Sequence, residues 1–161
     1  MSNKLFNKPT KQSIGKIVGV CISDRKGIPK KNIREAILEQ GKGIKGDAHS
    51  GTGHRQISLL ARESIDKMLA FLPELTEGSF AENLTTEGID LLSLPVGSEL
   101  KIGESVRLRI TQIGKECHTK CVIFRKVGNC IMPTEGIFAE VLQGGLVKVG
   151  DEIDIIKRPA K

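Results

Sequence analysis

Polar and apolar positions alternate most regularly in "SVRLRITQIG", where Val106, Leu108 and Ile110 fall on one side and Arg107, Arg109 and Thr111 on the other. A period of two predicts a strand with one buried face. "GKIVGVCI", Gly15 to Ile22, is apolar and β-branched almost throughout, and predicts a buried strand. "RQISLLA" predicts a strand running into a helix, "RESIDKMLAFL", closed by Pro73. "GIFAEVLQGG" and "DEIDII" are two further strand candidates. "IREAILEQG" fits either a strand or a short helix: Ile33, Ile37 and Leu38 share a helix face, yet the segment is short and stops at Gly41.

The breaks are as informative as the runs. "GKGIKGDAHSGTGHR" places five Gly in 15 residues and predicts a loop. "EGSFAENLTTEGIDLLSLPVGSEL" reads as short segments broken at Gly78, Gly88 and Gly97. "LPVGSELKIGES" and "GGLVKVGDEIDI" read as paired hairpin elements with Gly turns. No repeat of 20 to 50 residues and no linker interrupts 15–156. Many short strands, Gly turns and about two helices predict a mainly β fold with flanking helices (α+β), a barrel or rolled sheet. The strand order is not legible. The expected organisation is one domain over 15–156, a flexible basic lead-in over 1–14 and a basic tail over 157–161.

Composition narrows the function classes. The chain has 161 residues, long enough to bury a core without staples. Its formal charge of +6 suggests nucleic acid until the cations are located. Residues 1–16 hold four Lys and no acid, and 157–161 hold two Lys and one Arg. Without those seven, 18 basic face 19 acidic residues, so the body is close to neutral. With no Trp or Tyr there are few stacking platforms for single strands, and no nucleic-acid partner is expected. No apolar run approaches the roughly 18 residues of a membrane span, and "MSNKLFNKPTKQS" lacks the apolar core of a signal peptide. The expected location is therefore a reducing cytoplasm, away from membranes, with the four Cys as thiols.

Three of those four Cys lie in "IGKECHTKCVIFRKVGNC". The spacings of Cys117, Cys121 and Cys130 do not form the paired knuckles of a strong zinc motif, although Cys117, Cys121 and His118 leave a distorted zinc site open. Cys21, within an apolar strand, and Cys130, beside Ile131 and Met132, read as small buried hydrophobes. Cys117 follows the alternating strand in a polar turn with Lys115, His118 and Lys120. Nearby cations lower a thiol's pKa and favour the reactive thiolate. In "KGDAHSGTGHR", Asp47, His49 and His54 are metal-ligand types within a loop whose backbone amides suit an anion, or an Asp-stabilised turn with exposed histidines. Arg55 has the fork that binds phosphate or carboxylate. In "FAENLT", Glu82 and Asn83 form either a satisfied turn or a pocket wall.

Taken together and in order, "GIKGDAHSG", "RQISLL", "GSFAENLTTEGIDLLSLPVGSELKIGE" and "ITQIGKEC" resemble the MOSC domain, the module at the C-terminus of molybdenum cofactor sulfurases and in stand-alone bacterial proteins. The resemblance implies a MOSC-like β-barrel and a role in carrying sulfur to, or binding, the molybdenum–pterin cofactor. It implies that Cys117 is the catalytic thiol, as persulfide acceptor or as a molybdenum ligand. It also implies that Asp47, His49, Arg55, Glu82 and Asn83 line the pocket, with Lys115 and His118 beside the thiol. The expected partners are a sulfur donor such as a cysteine desulfurase, or molybdenum cofactor biosynthesis proteins. The aminotransferase-like domain of a full sulfurase has no counterpart here, so no pyridoxal phosphate is expected on this chain. Two alternatives stand beside this one: a molybdenum-dependent reductase of N-hydroxylated compounds, and a non-enzymatic cofactor chaperone or zinc-stabilised interaction domain.

Overall fold

The computed structural model describes residues 15–114 and 131–159. Among the described residues, eleven strands account for most of the regular secondary structure: β1 (Gly15–Ile22), β2 (Lys31–Asn32), β3 (Glu35–Glu39), β4 (Gly43–Ile44), β5 (Ile57–Ala61), β6 (Leu84–Glu87), β7 (Glu99–Ile102), β8 (Val106–Ile113), β9 (Ile137–Gln143), β10 (Gly145–Lys148) and β11 (Glu152–Lys157). The main sheet runs β11-β7-β8-β9-β5-β6-β1-β2, and β11 also pairs with β1. That last pairing, Gly15 opposite Ile153, closes seven strands into a barrel and leaves β2 outside the ring.

Alternation explains the barrel's interior. In β8, Val106, Leu108 and Ile110 are fully buried. Leu108 sits opposite Leu100 of β7 on one side and Val141 of β9 on the other. Ile17, Leu59, Leu84, Ile102, Ile137 and Ile153 complete the same core. On the outward face of β8, Arg109 meets Glu140 of β9, its guanidinium donating to the carboxylate at 2.7 Å. All the pairings in the ring are antiparallel except β5 with β6, which run parallel from Leu59–Leu84 to Ala61–Thr86. The intervening chain crosses over through α1 (Arg62–Asp66) and a set of turns that reach Leu75. These cover the outer faces of β5 and β9 with a second apolar cluster of Leu60, Ile65, Leu75, Phe80, Met132 and Phe138. The second helix, α2 (Met132–Glu135), is a single turn with Pro near its start.

One open alternative is decided and two expectations change. The ambiguous segment before Gly41 is a strand: β3 lies between β10 and β4 in a small separate sheet. Leu38 is buried there while Ile33 and Ile37 stay exposed, so the three do not share one buried helical face. The two strands of "GGLVKVGDEIDI" are not partners either. β10 pairs with β3, whereas β11 departs to β7 and β1. The turn between them is held elsewhere, with Val149 N–H on the Arg34 carbonyl and Gly150 N–H on the Ile17 carbonyl, both 2.8 Å. The helix after β5 is also shorter than expected, ending at Asp66 before tighter turns take over. Among the described residues, no helix is long and apolar enough to cross a membrane.

Candidate functional site

β5 and β6 start at the same end of the ring because they are parallel, and this sets Ser58 beside Asn83. The Asn83 side-chain oxygen accepts from Ser58 N–H at 2.9 Å and from its hydroxyl at 3.2 Å. The Asn83 amide nitrogen donates to the Cys21 carbonyl on β1 and to Asp47 Oδ2, each at 3.1 Å. A single buried amide thus ties three barrel strands to the Gly-rich loop after β4.

Asp47 is the hub of that loop. Oδ2 accepts from His49 N–H at 3.1 Å, an Asx-type turn, while Oδ1 accepts from Ser23 N–H at 3.1 Å and from Lys30 Nζ at 2.6 Å. The Asp47 and Lys30 side chains are 1% and 0% exposed. Burial pushes the Asp47 pKa up, but the bond and charge of Lys30, with Asn83 and Ser23 N–H, outweigh it and hold the carboxyl below its ordinary value. Lys30 reaches this spot because Gly78 clasps its backbone: Lys30 N–H donates to the Gly78 carbonyl at 2.8 Å. Gly78 has φ 88°, and an added Cβ would strike the Lys30 carbonyl.

Glu82 serves the same turn. Its carboxyl accepts from Gly78 N–H at 2.8 Å, Phe80 N–H at 3.2 Å and the Thr85 hydroxyl at 2.5 Å. It is sealed from solvent, and burial leads the forces that raise its pKa, against those three donors. Of the two readings of Glu82, satisfied turn or pocket wall, these bonds are those of the turn: the carboxyl locks the stretch in which Ala81 takes the left-handed φ of 65°. Asn83 is likewise a structural tie, 1% exposed. Cys21 is buried, and burial, helped by the charge of Glu82, pushes its thiol far up, as expected for an inert thiol.

The second half of the loop leads to β8. His54 Nε2 lies 2.8 Å from Gln112 Oε1, and the Thr111 hydroxyl donates to the His54 carbonyl. Gln112 Nε2 donates to the Gly114 carbonyl at 2.7 Å, which leaves Oε1 as the acceptor, so His54 Nε2 carries the proton. Arg55 is exposed, its guanidinium 5.6 Å from the centre of the Phe138 ring. Among the described residues it has no carboxylate partner. The structure thus brings Asp47 and His49 together around Lys30, and carries His54 and Arg55 to the outgoing end of β8. Cys117, Lys115, His118, Cys121 and Cys130 lie outside the described residues, in the 115–130 stretch that follows Gly114. Among the described residues no group of three metal-ligating side chains is assembled.

Sequence reasoning missed Lys30. It stands in "SDRKGIPKKN" among three other cations that nothing in local pattern separates from it. Ser58 and Gln112 were equally silent, since their roles come from strand pairing.

An open depression of about 450 Å³ lies elsewhere, between α1 and the segment Gly88–Leu92, and shares no residue with this constellation.

Known proteins give the constellation a family. No curated protein matches the chain. Among solved structures, the chain is similar to the YuaD protein of Bacillus subtilis, with a TM-score of 0.74 at 21% identity, over 88% of this chain and 94% of that one. It is also similar to YiiM of Escherichia coli, with a TM-score of 0.64 at 17% identity over 92% and 71%, and to YiiM of Geobacillus stearothermophilus, at 0.61 and 17% over 91% and 75%. At these identities the likeness establishes the fold. The family model of the MOSC domain matches residues 46–154, which takes in the Gly-rich loop, the Glu82–Asn83 turn and the 115–130 stretch. The chain belongs to the MOSC domain family.

Proposed function

We propose that this protein handles sulfur for, or binds, the molybdenum–pterin cofactor through Cys117. The observation that carries the proposal is the seating of the Gly-rich loop: His54 accepts from the Thr111 hydroxyl and donates to Gln112 Oε1, which holds the loop against the end of β8, from which the chain enters the Cys117 segment. MOSC domains are associated with molybdenum cofactor proteins, and this chain carries a MOSC domain.

The described residues fit the anionic end of such a cofactor. Arg55 is exposed, held over Phe138, and has its fork unengaged by any carboxylate among the described residues. In this reading Arg55, with His49 and Lys115, holds the terminal phosphate, and Cys117 is the soft ligand for the metal. When bound, the cofactor supplies a metal centre able to accept or exchange sulfur. Asp47 and Asn83 act behind this surface by fixing the loop.

For sulfur transfer, the Cys117 thiolate attacks the outer sulfur of a donor protein's persulfide. A new S–S bond forms at Cys117, the donor's S–S bond breaks, and the donor leaves as a thiolate with the electron pair. A cysteine desulfurase is a suitable donor. A reducing cytoplasm would preserve both thiols.

The test is to incubate wild-type and Cys117→Ser protein with a persulfide-loaded desulfurase, then measure intact mass, pterin and molybdenum content. A gain of one sulfur or of pterin in wild type alone is expected. Identical behaviour of the two overturns the proposal. Stoichiometric molybdenum with turnover of an N-hydroxylated substrate would instead favour a reductase, pterin binding without sulfur gain or turnover a chaperone, and zinc whose chelation unfolds the protein an interaction domain.

A further inference from the structure

Three strand ends share one rim of the barrel. β6 stops at Glu87, and β5, which runs parallel to it, stops at Ala61. β1 is antiparallel to β6, with Lys16 opposite Glu87, so the chain enters β1 at that same rim. The open depression of about 450 Å³ lies there, between α1 and the segment Gly88–Leu92. Gly15 abuts its wall: a Cβ added to Gly15 would strike Ile89, one of the lining residues, at 2.9 Å. Residues 1–14, which lie outside the described residues, are therefore tethered at the edge of the depression.

The chemistry of the two matches. The depression sets Ile89, Leu91 and Leu92 beside the carboxylates of Glu63, Asp90 and Glu135, and Leu92 is 43% exposed. Glu135 is engaged by Lys67 and by the Ser64 hydroxyl. Glu63 accepts from Gly88 N–H at 2.8 Å, and neither it nor Asp90 has a cation partner among the described residues. An apolar floor beside uncompensated acids suits a segment that sets large apolar side chains between cations. "MSNKLFNKPTKQSI" has no acid, three Lys, and Leu5 and Phe6 side by side between Lys4 and Lys8. The nine residues from Phe6 to Gly15 span up to about 30 Å when extended, ample for a site that Gly15 touches. Tethering also gives a short segment an effective concentration on the order of millimolar, which a free competitor must match.

We propose that this depression is the seat of the chain's own segment 1–14, with Leu5 and Phe6 on the apolar floor and Lys4 and Lys8 beside Glu63 and Asp90. The segment is then a strap across the rim where β1 and β11 close the ring. Salt weakens the ionic half of this contact and leaves the apolar half in place.

NMR on the full-length protein, deuterated except at Phe rings and at Leu and Ile methyl groups, tests the strap. Nuclear Overhauser contacts are expected between the Phe6 ring, assigned by the signals lost in Phe6→Ser, and the Leu92 methyl groups. Phe6→Ser, a change at a position that precedes β1, should also shift the Leu92 and Ile89 methyl signals. Glu63→Gln paired with Asp90→Asn should weaken the contacts, and so should high salt. Absence of the contacts, with Leu92 signals alike in wild type and Phe6→Ser, overturns the proposal. Contacts found only between differently labelled molecules in a mixed sample also overturn it, and assign the depression to a second copy of the chain. Contacts indifferent to salt and to the paired substitution overturn the part given to the carboxylates.

Discussion

Asn83 and Ser58 clasp one another at the start of the two parallel strands: each backbone N–H is satisfied by the other residue's side chain, at 3.0 and 2.9 Å. The same amide also caps the Cys21 carbonyl and steadies Asp47. Asn83→Ala would strand several buried polar groups at once. At about 1–3 kcal/mol for a buried group left without a partner, the loss should reach roughly 3 kcal/mol. Urea titration of the variant checks this, and a change within experimental scatter would show that water replaces the clasp.

The buried ion pair should respond asymmetrically. Lys30→Met alone leaves Asp47 as an uncompensated carboxylate and should cost about 3–5 kcal/mol. Adding Asp47→Asn should recover much of that loss, because no charge then remains buried. Midpoints for the two single variants and the pair, compared as a double-mutant cycle, measure the coupling.

Asp47 and Glu82 should shape the pH dependence in opposite senses. The folded pKa of Asp47 is below its ordinary 3.8, so its contribution is complete above that value and disappears as pH falls through the folded pKa. The folded pKa of Glu82 is above its ordinary 4.5, so folding is favoured most below that value and loses support as pH rises towards the folded pKa. Glu82→Gln should abolish the second slope. Its NH₂ must face the N–H of either Gly78 or Phe80, so a loss of about 1–3 kcal/mol should accompany it. Stability against pH for wild type and Glu82→Gln, recorded by denaturant melts, separates the two residues.

Arg55 should behave as a surface residue with a binding role. Arg55→Ala is expected to change stability by no more than about 0.5 kcal/mol. It should nonetheless weaken binding of a pterin phosphate, and Arg55→Lys should restore only part, since a lysine lacks the two-pronged fork. Calorimetric titration with the phosphorylated pterin is the measurement.

Gly78→Ala should be far more damaging than a surface Gly→Ala change. It combines φ 88° with a collision against the Lys30 backbone, so both the turn and the seat of the buried ammonium are lost. Thermal melting measures the loss, expected as a midpoint well below that of a surface Gly→Ala variant.

The strands were legible where burial imposed a period, as in β8, and where β-branched residues ran together, as in β1. The breaks at Gly78, Gly88 and Gly97 were legible because each needs a positive φ that glycine supplies freely, 88°, 82° and 98°. The partner of β10 was not, because pairing depends on which distant edge is open, and nearby sequence carries no trace of that. The same limit hid Lys30. Its distinction from Lys26 or Lys31 comes from Gly78 and Asp47, remote in the chain, which bring one particular side chain inside. Asp47, His49 and Glu82 were recognisable as a motif, but only the fold separates the hub and the loop surface from the lock of a turn.

The seam where Gly15 meets Ile153 joins nearly the two extremes of the described chain. Until β11 has been synthesised, β1 and β7 each lack a neighbour, and the sheet stays an open ribbon with sticky edges. β11 must therefore have been made before the ring can seal, and a chain stopped shortly before residue 152 would be a natural client for chaperones or proteases. Conversely, a β11 segment supplied in trans could complement such a fragment, which would make barrel closure itself an experimental switch.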